Sequence, residues 1–153
     1  MERSLMIAVC VGSAFGLLSI AAPGPGAVHA AEAAKVAVSQ KEPVGDYLTD
    51  AEGKSLYLFE ADSENTSTCY DDCVAAWPPL LTEGAPTGDD KVDASMLSTI
   101  EREDGSTQVT YNGWPLYYFV KDQAPGDTEG QDVEGFGAEW YLVSPEGEKA
   151  EGE

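Results

Sequence analysis

Residues 56–62 read LYLFEAD, and residues 116–122, at an offset of 60, read LYYFVKD. Leu56, Tyr57, Phe59 and Asp62 therefore fall on Leu116, Tyr117, Phe119 and Asp122. A motif that returns at a fixed spacing marks one supersecondary unit used twice. Tyr and Phe two residues apart share one face of a strand, while Leu56 with Leu58, and Leu116 with Tyr118, lie on the other. Both faces are apolar, which fits a strand covered on both sides. At 153 residues the chain can support one domain with a modest core, and not two ordinary ones. The predicted fold is a compact, mainly β, antiparallel domain built from an internal pseudo-repeat, with one short helix near residues 69–77.

The remaining elements follow from local chemistry. Val36–Val38 and Val44–Thr49 are predicted strands, with Pro43 marking an edge or a break. Ser55–Glu60 is the first copy of the repeated strand. Cys69, Cys73, Ala76 and Trp77 have helical spacing, Thr68 is placed to cap, and Pro78-Pro79 ends the run. Leu97–Arg102, Thr107–Tyr111 and Trp114–Val120 are strands separated by Asp104-Gly105 and Asn112-Gly113, turn pairs that predict an antiparallel meander. Residues 121–139 read as a long loop, Trp140–Val143 as a last strand, and Pro145–Glu153 as a fraying acidic tail. The domain plan is a signal peptide at 1–30, a leader at 31–43, a first repeat at 44–81, a linker at 82–95, a second repeat at 96–147, and a tail at 148–153.

An apolar run from Leu5 to Ala22, followed by Val28-His29-Ala30, reads as an export signal cleaved after Ala30. The alternative is an uncleaved anchor, because Leu5–Ala22 is about as long as the shortest spanning helix. Cleavage removes Glu2 and Arg3, leaving 27 acidic and 7 basic side chains and a net charge of −20. It also removes His29, the sole histidine. Histidine-dependent triads and His-ligated metal sites are thereby excluded from the mature chain. So strongly acidic a surface repels nucleic acid and favours cations or basic partners. The expected location is periplasmic or secreted, with no membrane span after cleavage.

The paired motif at 56–62 and 116–122 is joined by Cys69-x-x-x-Cys73-x-x-x-Trp77-Pro78-Pro79 and by Gln108-Val-Thr-Tyr-Asn-Gly-Trp-Pro115. Pro125-Gly126-Asp127-Thr128, Gly130-Gln131 and Phe136-Gly137 continue the pattern. Together these resemble a bacterial and archaeal family of secreted repeats of unknown function, also described as predicted lipoproteins with a Tyr-x-(Phe/Trp/Tyr)-x-x-Asp motif. The resemblance runs from about Val44 to Gly147 and implies a tandem-repeat exported module. It implies no reaction. Lipid-anchored relatives carry a lipobox, and Cys10, inside the apolar run, does not provide one.

Three groups of residues are candidates for chemistry. Cys69 and Cys73 are the only cysteines beyond the leader, an even pair that reads most simply as a local disulfide in an oxidising compartment. A redox-active dithiol and a soft-metal site are the alternatives, though the spacing is one residue longer than Cys-x-x-Cys, and Asp71-Asp72 would raise the thiol pKa. Asp62 and Asp122 end equivalent strands before oxygen-rich loops. Asp122, Asp127 and Asp132 form a candidate calcium site, weighed against carboxylates that simply accept backbone N–H bonds at turns. Tyr57, Phe59, Tyr117 and Phe119, with Trp77, Trp114 and Trp140, read as core aromatics before they read as a ligand platform. The expected function is an exported, non-catalytic binding or cell-envelope module. Its partner would be an unknown envelope ligand or a basic protein, and no organic cofactor is implied. The alternative is an extracytoplasmic thiol–disulfide or electron-transfer-associated protein using Cys69 and Cys73.

Overall fold

Asn112 and Gly113 adopt φ values of 49° and 82°, the two left-handed positions that a tight two-residue hairpin requires. They join β6 (Thr107–Tyr111) to β7 (Trp114–Pro115), and β5 (Leu97–Glu101) lies antiparallel on the other side of β6. This is the expected meander. The computed structural model describes residues 32–152, so the expected signal segment lies outside the described residues.

The first repeat builds the same unit. β1 (Lys35–Lys41) pairs antiparallel with β2 (Gly45–Asp50), setting Val36 opposite Asp50, and Ser55 bridges back to Thr49. In the second repeat Leu97 stands opposite Tyr111, and Pro115 opposite Thr110. The two hairpins thus superpose in register, at a sequence offset of 60 or 61.

Each unit is closed by residues of the other. β3 (Tyr57–Phe59) pairs antiparallel with β9 (Ala138–Leu142), placing Phe59 opposite Trp140. Beyond β9 lies β8 (Val133–Gly135). On its other side β3 meets the second motif directly: Tyr57 N donates to Tyr117 O at 2.8 Å, and Tyr117 N to Tyr57 O at 3.0 Å. Tyr117 in turn bridges Pro79. The order across the centre is therefore β8, β9, β3, the Tyr117 segment, the Pro79 segment. Two equivalent tyrosines bonded reciprocally define a local two-fold axis between them. The segments that follow the tryptophans obey it: Leu80 O accepts from Val109 N at 2.9 Å, and Val143 O accepts from Leu48 N at 2.8 Å. Residues 77–81 thus complete the second repeat, and 140–143 complete the first.

The alternation read from sequence sorts the core into two parts. Leu56, Leu58 and Leu116 enter a mainly aliphatic cluster with Leu48, Val109 and Val143, which Tyr111 and Tyr141 also join. Tyr57, Phe59, Tyr117 and Phe119 enter an aromatic cluster with Trp77, Trp140 and the two cysteines. The mainly β fold with one short helix matches the expectation.

Several local expectations change. The helix, α1, covers only Asp72–Ala76, and it begins after Asp71 with no side-chain cap. Thr68 does not cap it, because its backbone N and hydroxyl both bond Asp62. The 82–95 segment contains β4 (Thr87–Gly88), which pairs parallel with β1, and a 3-10 turn at Ala94–Met96 crosses its end. The 121–139 loop contains β8, and the strand expected at Trp114–Val120 shortens to β7. The tail does not fray at its start: Lys149 bridges Val143, and Ala150 is buried with its N bonded to Leu142 O at 2.7 Å.

Candidate functional site

The two motif tyrosines are fully buried, and each reaches into the other repeat. Tyr57 OH donates to Asp122 Oδ2 at 2.5 Å, and Tyr117 OH donates to Asp62 Oδ2 at 2.6 Å. The remaining carboxylate oxygens are held by the following loops. Asp62 Oδ1 accepts from Thr68 N at 2.7 Å and from its hydroxyl at 2.8 Å, and Asp122 Oδ1 accepts from Glu129 N at 2.8 Å. These are charge-assisted bonds to buried carboxylates, the strong kind. Burial first, and the neighbouring carboxylate second, hold both tyrosine pKa values far above the ordinary 10, so the proton stays on the phenol. Burial also raises both aspartates above their usual 3.8, against the lowering effect of the tyrosine bonds.

A second exchange surrounds the first. Trp77 and Trp140 stack on one another with centroids 3.9 Å apart and planes parallel. Phe119 stacks on the outer face of Trp77 at 4.0 Å, and Phe59 on that of Trp140 at 4.1 Å. The four rings alternate between repeats across the local axis. Tyr57 meets the edge of Trp77, and Tyr117 that of Trp140, in matching T-shaped contacts. A family model described as a secreted repeat of unknown function matches residues 38–81 and again 98–144. The chain belongs to that family. Each matched stretch carries one motif strand and one stacking tryptophan, so the secreted repeat is the unit whose two copies exchange these side chains. No curated protein and no solved structure matches the chain.

In this pair of secreted repeats the two Tyr–Asp bonds sit in different surroundings. Near Asp62, Arg102 is almost fully buried, donating to Ser67 Oγ at 2.9 Å, Gln108 Oε1 at 2.7 Å and Cys69 O at 2.6 Å. Ser67 Oγ lies 2.6 Å from Tyr117 OH, giving a chain Arg102–Ser67–Tyr117–Asp62. The guanidinium charge lowers the Asp62 pKa, against the dominant effect of burial. Arg102 is absent from the residues picked out by sequence. Its being the only arginine beyond Arg3 was the available signal. Near Asp122 a backbone takes the place of the arginine: Gly130 N donates to Tyr57 OH at 3.2 Å. A Cβ on Gly130 would stand 2.8 Å from both Tyr57 and Trp77, so this position needs glycine for close approach.

Cys69 and Cys73 form a disulfide with Cα atoms 5.3 Å apart. Both residues are buried within the aromatic cluster beside Trp77. The bridge locks the turn from which α1 starts and whose carbonyl, Cys69 O, receives Arg102.

Two of the three carboxylates read as a candidate calcium site, Asp122 and Asp127, are engaged with the chain itself. Asp122 serves Tyr57 and Glu129, and Asp127 Oδ2 accepts from Gln123 N and Ala124 N, each at 3.0 Å. Asp127 is close enough to Asp122 to raise its pKa, whereas Asp132, at φ 60°, lies near Tyr141. Among the described residues no three His, Cys, Asp or Glu side chains converge on a point that could hold a metal.

One open cleft, of about 510 Å³, lies over the outer edge of the Asp122 bond. Tyr118, Phe119, Val120 and Pro78 give it apolar walls, and Asp50, Glu52 and Asp122 supply carboxylates against one Lys54. Tyr118 OH donates to Asp50 Oδ2 at 2.9 Å, which fixes its ring. Val120 is half exposed there. Among the described residues no helix is long and apolar enough to cross a membrane.

Proposed function

We propose that this pair of secreted repeats works outside the cytoplasm, in the periplasm or beyond it, as a non-catalytic binding or cell-envelope module that meets a cationic ligand or a basic protein. One observation carries the reading: the signature hydroxyls and carboxylates of both motifs are bonded to one another in the interior. A tyrosine held protonated by burial is a poor nucleophile or base, and no substrate can reach it. What remains for a partner is the outside, which combines a charge of −20 with an apolar cleft that has Glu52 on its rim, Asp50 and Asp122 being held by bonds within the chain. Binding of a Lys-rich peptide, compared with a Glu-rich peptide of equal length, tests this at two salt concentrations. The expected result is binding of the basic peptide alone, weakened as salt rises; no binding of the basic peptide at low salt removes the reading.

The competing use of Cys69 and Cys73 in thiol–disulfide or electron-transfer work has less support. Exchange needs a thiolate to reach a sulfur, and both cysteines are buried. Divalent-cation binding around Asp122, Asp127 and Asp132 enters the proposal only as a weak contribution. Melting with millimolar calcium and with chelator checks it, a rise in Tm supporting it and an unchanged Tm removing it.

A further inference from the structure

The local two-fold axis is broken again at the outer edge of the two hairpins. β1 and β5 are equivalent strands, since Val36 and Leu97 occupy the same register against Asp50 and Tyr111. The outer edge of β1 is closed. β4 pairs parallel with it at Lys35 and Val36, and Asp89 Oδ2 accepts from Val38 N at 3.2 Å. Lys35 and Lys41 add the charged side chains that blunt a sheet edge. β4 follows the segment that closes the second repeat. Its counterpart would follow residue 143, but there the chain turns at 144–147 and folds back to pair Lys149 with Val143. No strand is laid beside β5, which remains an edge of its sheet among the described residues.

Apart from Glu101 at its end, β5 also lacks protection of its own. Its sequence, LSTIE, contains no proline and no lysine, and Thr99 and Ile100 are β-branched residues that favour strand pairing. Ser98 and Thr99 are exposed, as are Asp93, Glu101, Glu103 and Asp104 around them. Arg102, the one base in this stretch, is buried beneath the strand. The edge therefore offers unpaired backbone groups in a negative field. A second copy of this chain would bring another −20 to it and be repelled. We infer that the outer edge of β5 receives an extended, Lys- or Arg-bearing segment of a partner protein as an added strand, running parallel to β5 as β4 runs parallel to β1. The inference rests on the binding-module reading and names how and where that module engages its basic partner.

The test uses the purified full chain and a short peptide of alternating Lys and Val. Two further peptides carry the same charges but are N-methylated at odd or at even positions, so that each lacks the N–H donors of one edge. Added-strand binding predicts that one methylated peptide binds at least tenfold more weakly while the other keeps its affinity, and that hydrogen exchange slows at amides of β5. A Ser98→Lys/Thr99→Lys variant, with unchanged Tm, should weaken the parent peptide at least fivefold. Equal affinity of all three basic peptides, with protection elsewhere, overturns the β5 assignment and leaves the basic-partner function standing. No binding of any basic peptide overturns both.

Discussion

Tyr57 and Asp122 lie 65 residues apart and share a 2.5 Å hydrogen bond, while Tyr57 and Asp62 of the same motif do not bond each other. The exchange makes the motif a clasp between repeats. A buried bond to a carboxylate contributes about 1.5–3 kcal/mol, and more is lost when the carboxylate remains without its donor. Tyr57→Phe and Tyr117→Phe should each lower stability by about 2–3 kcal/mol in denaturant melts. Double-mutant cycles with Asp→Ala should give a coupling of about 1–3 kcal/mol for Tyr57 with Asp122 and for Tyr117 with Asp62. Coupling concentrated instead in Tyr57 with Asp62 would contradict the exchange.

The motif strands, their two apolar faces and the meander were legible because period-two alternation and the Asn112-Gly113 turn are local signals. The exchange was not. Both copies present the same chemistry, so nothing in the spacing says whether Tyr57 bonds Asp62, five residues on, or Asp122. The same ambiguity hides the stack, since Trp77 and Trp140 read as core residues but not as each other's partners. β4 and β8, two and three residues long, are fixed by pairing with distant strands and carry no periodicity. Thr68 had the chemistry of a helix cap, and Asp62 outcompeted the helix for it. Whether Asp122 and Asp127 serve a cation or the backbone was likewise undecided by composition, because both uses need the same oxygen-rich loop.

Stability should rise on mild acidification. Asp62 and Asp122 have folded pKa values raised by burial, so the folded chain holds these protons more tightly than the unfolded chain does. Their contribution is fully present below the unfolded value of 3.8 and is lost as pH rises through the folded values. Relief of self-repulsion at −20 acts in the same direction. Exposed Asp93 and Asp104, lowered by bonds from Ser95 and Ser106, act oppositely: their contribution is lost as pH falls below the usual carboxylate range. Tm should therefore climb from pH 7 to a maximum in weak acid, with a shallower climb in Asp122→Asn. A steady fall in Tm from pH 7 to pH 5 would count against this.

The four-ring stack should be the most sensitive part of the core. Trp77→Ala or Trp140→Ala removes two stacking contacts and opens a cavity between the repeats, costing about 3–5 kcal/mol. Trp77→Phe should recover part of that loss. Equal stability of the Phe variant and of Trp77→Leu, which refills volume without a ring, would show in guanidinium melts that the stack adds nothing beyond volume.

The disulfide and Arg102 should act as one unit, because the guanidinium is received by Cys69 O. Cys69→Ser/Cys73→Ser should lower stability by about 2 kcal/mol, the scale of a small closed loop. Arg102→Met should cost about 2–3 kcal/mol by leaving Ser67, Gln108 and Cys69 O without their donor. Combined, they should fall short of the sum. Strict additivity in thermal and denaturant melts would separate the two.

Dividing the chain after Asp90 separates the repeats while keeping β4 with β1, and it tests most directly whether the pair is one intertwined domain. Residues 31–90 would lack the 140–143 segment that closes the first repeat, and residues 91–153 the 77–81 segment that closes the second. Each fragment alone should give a collapsed amide spectrum and no cooperative melt. Mixing them in equal amounts should restore dispersed amide signals and a single cooperative transition. Two fragments that each fold and melt cooperatively on their own would contradict the account.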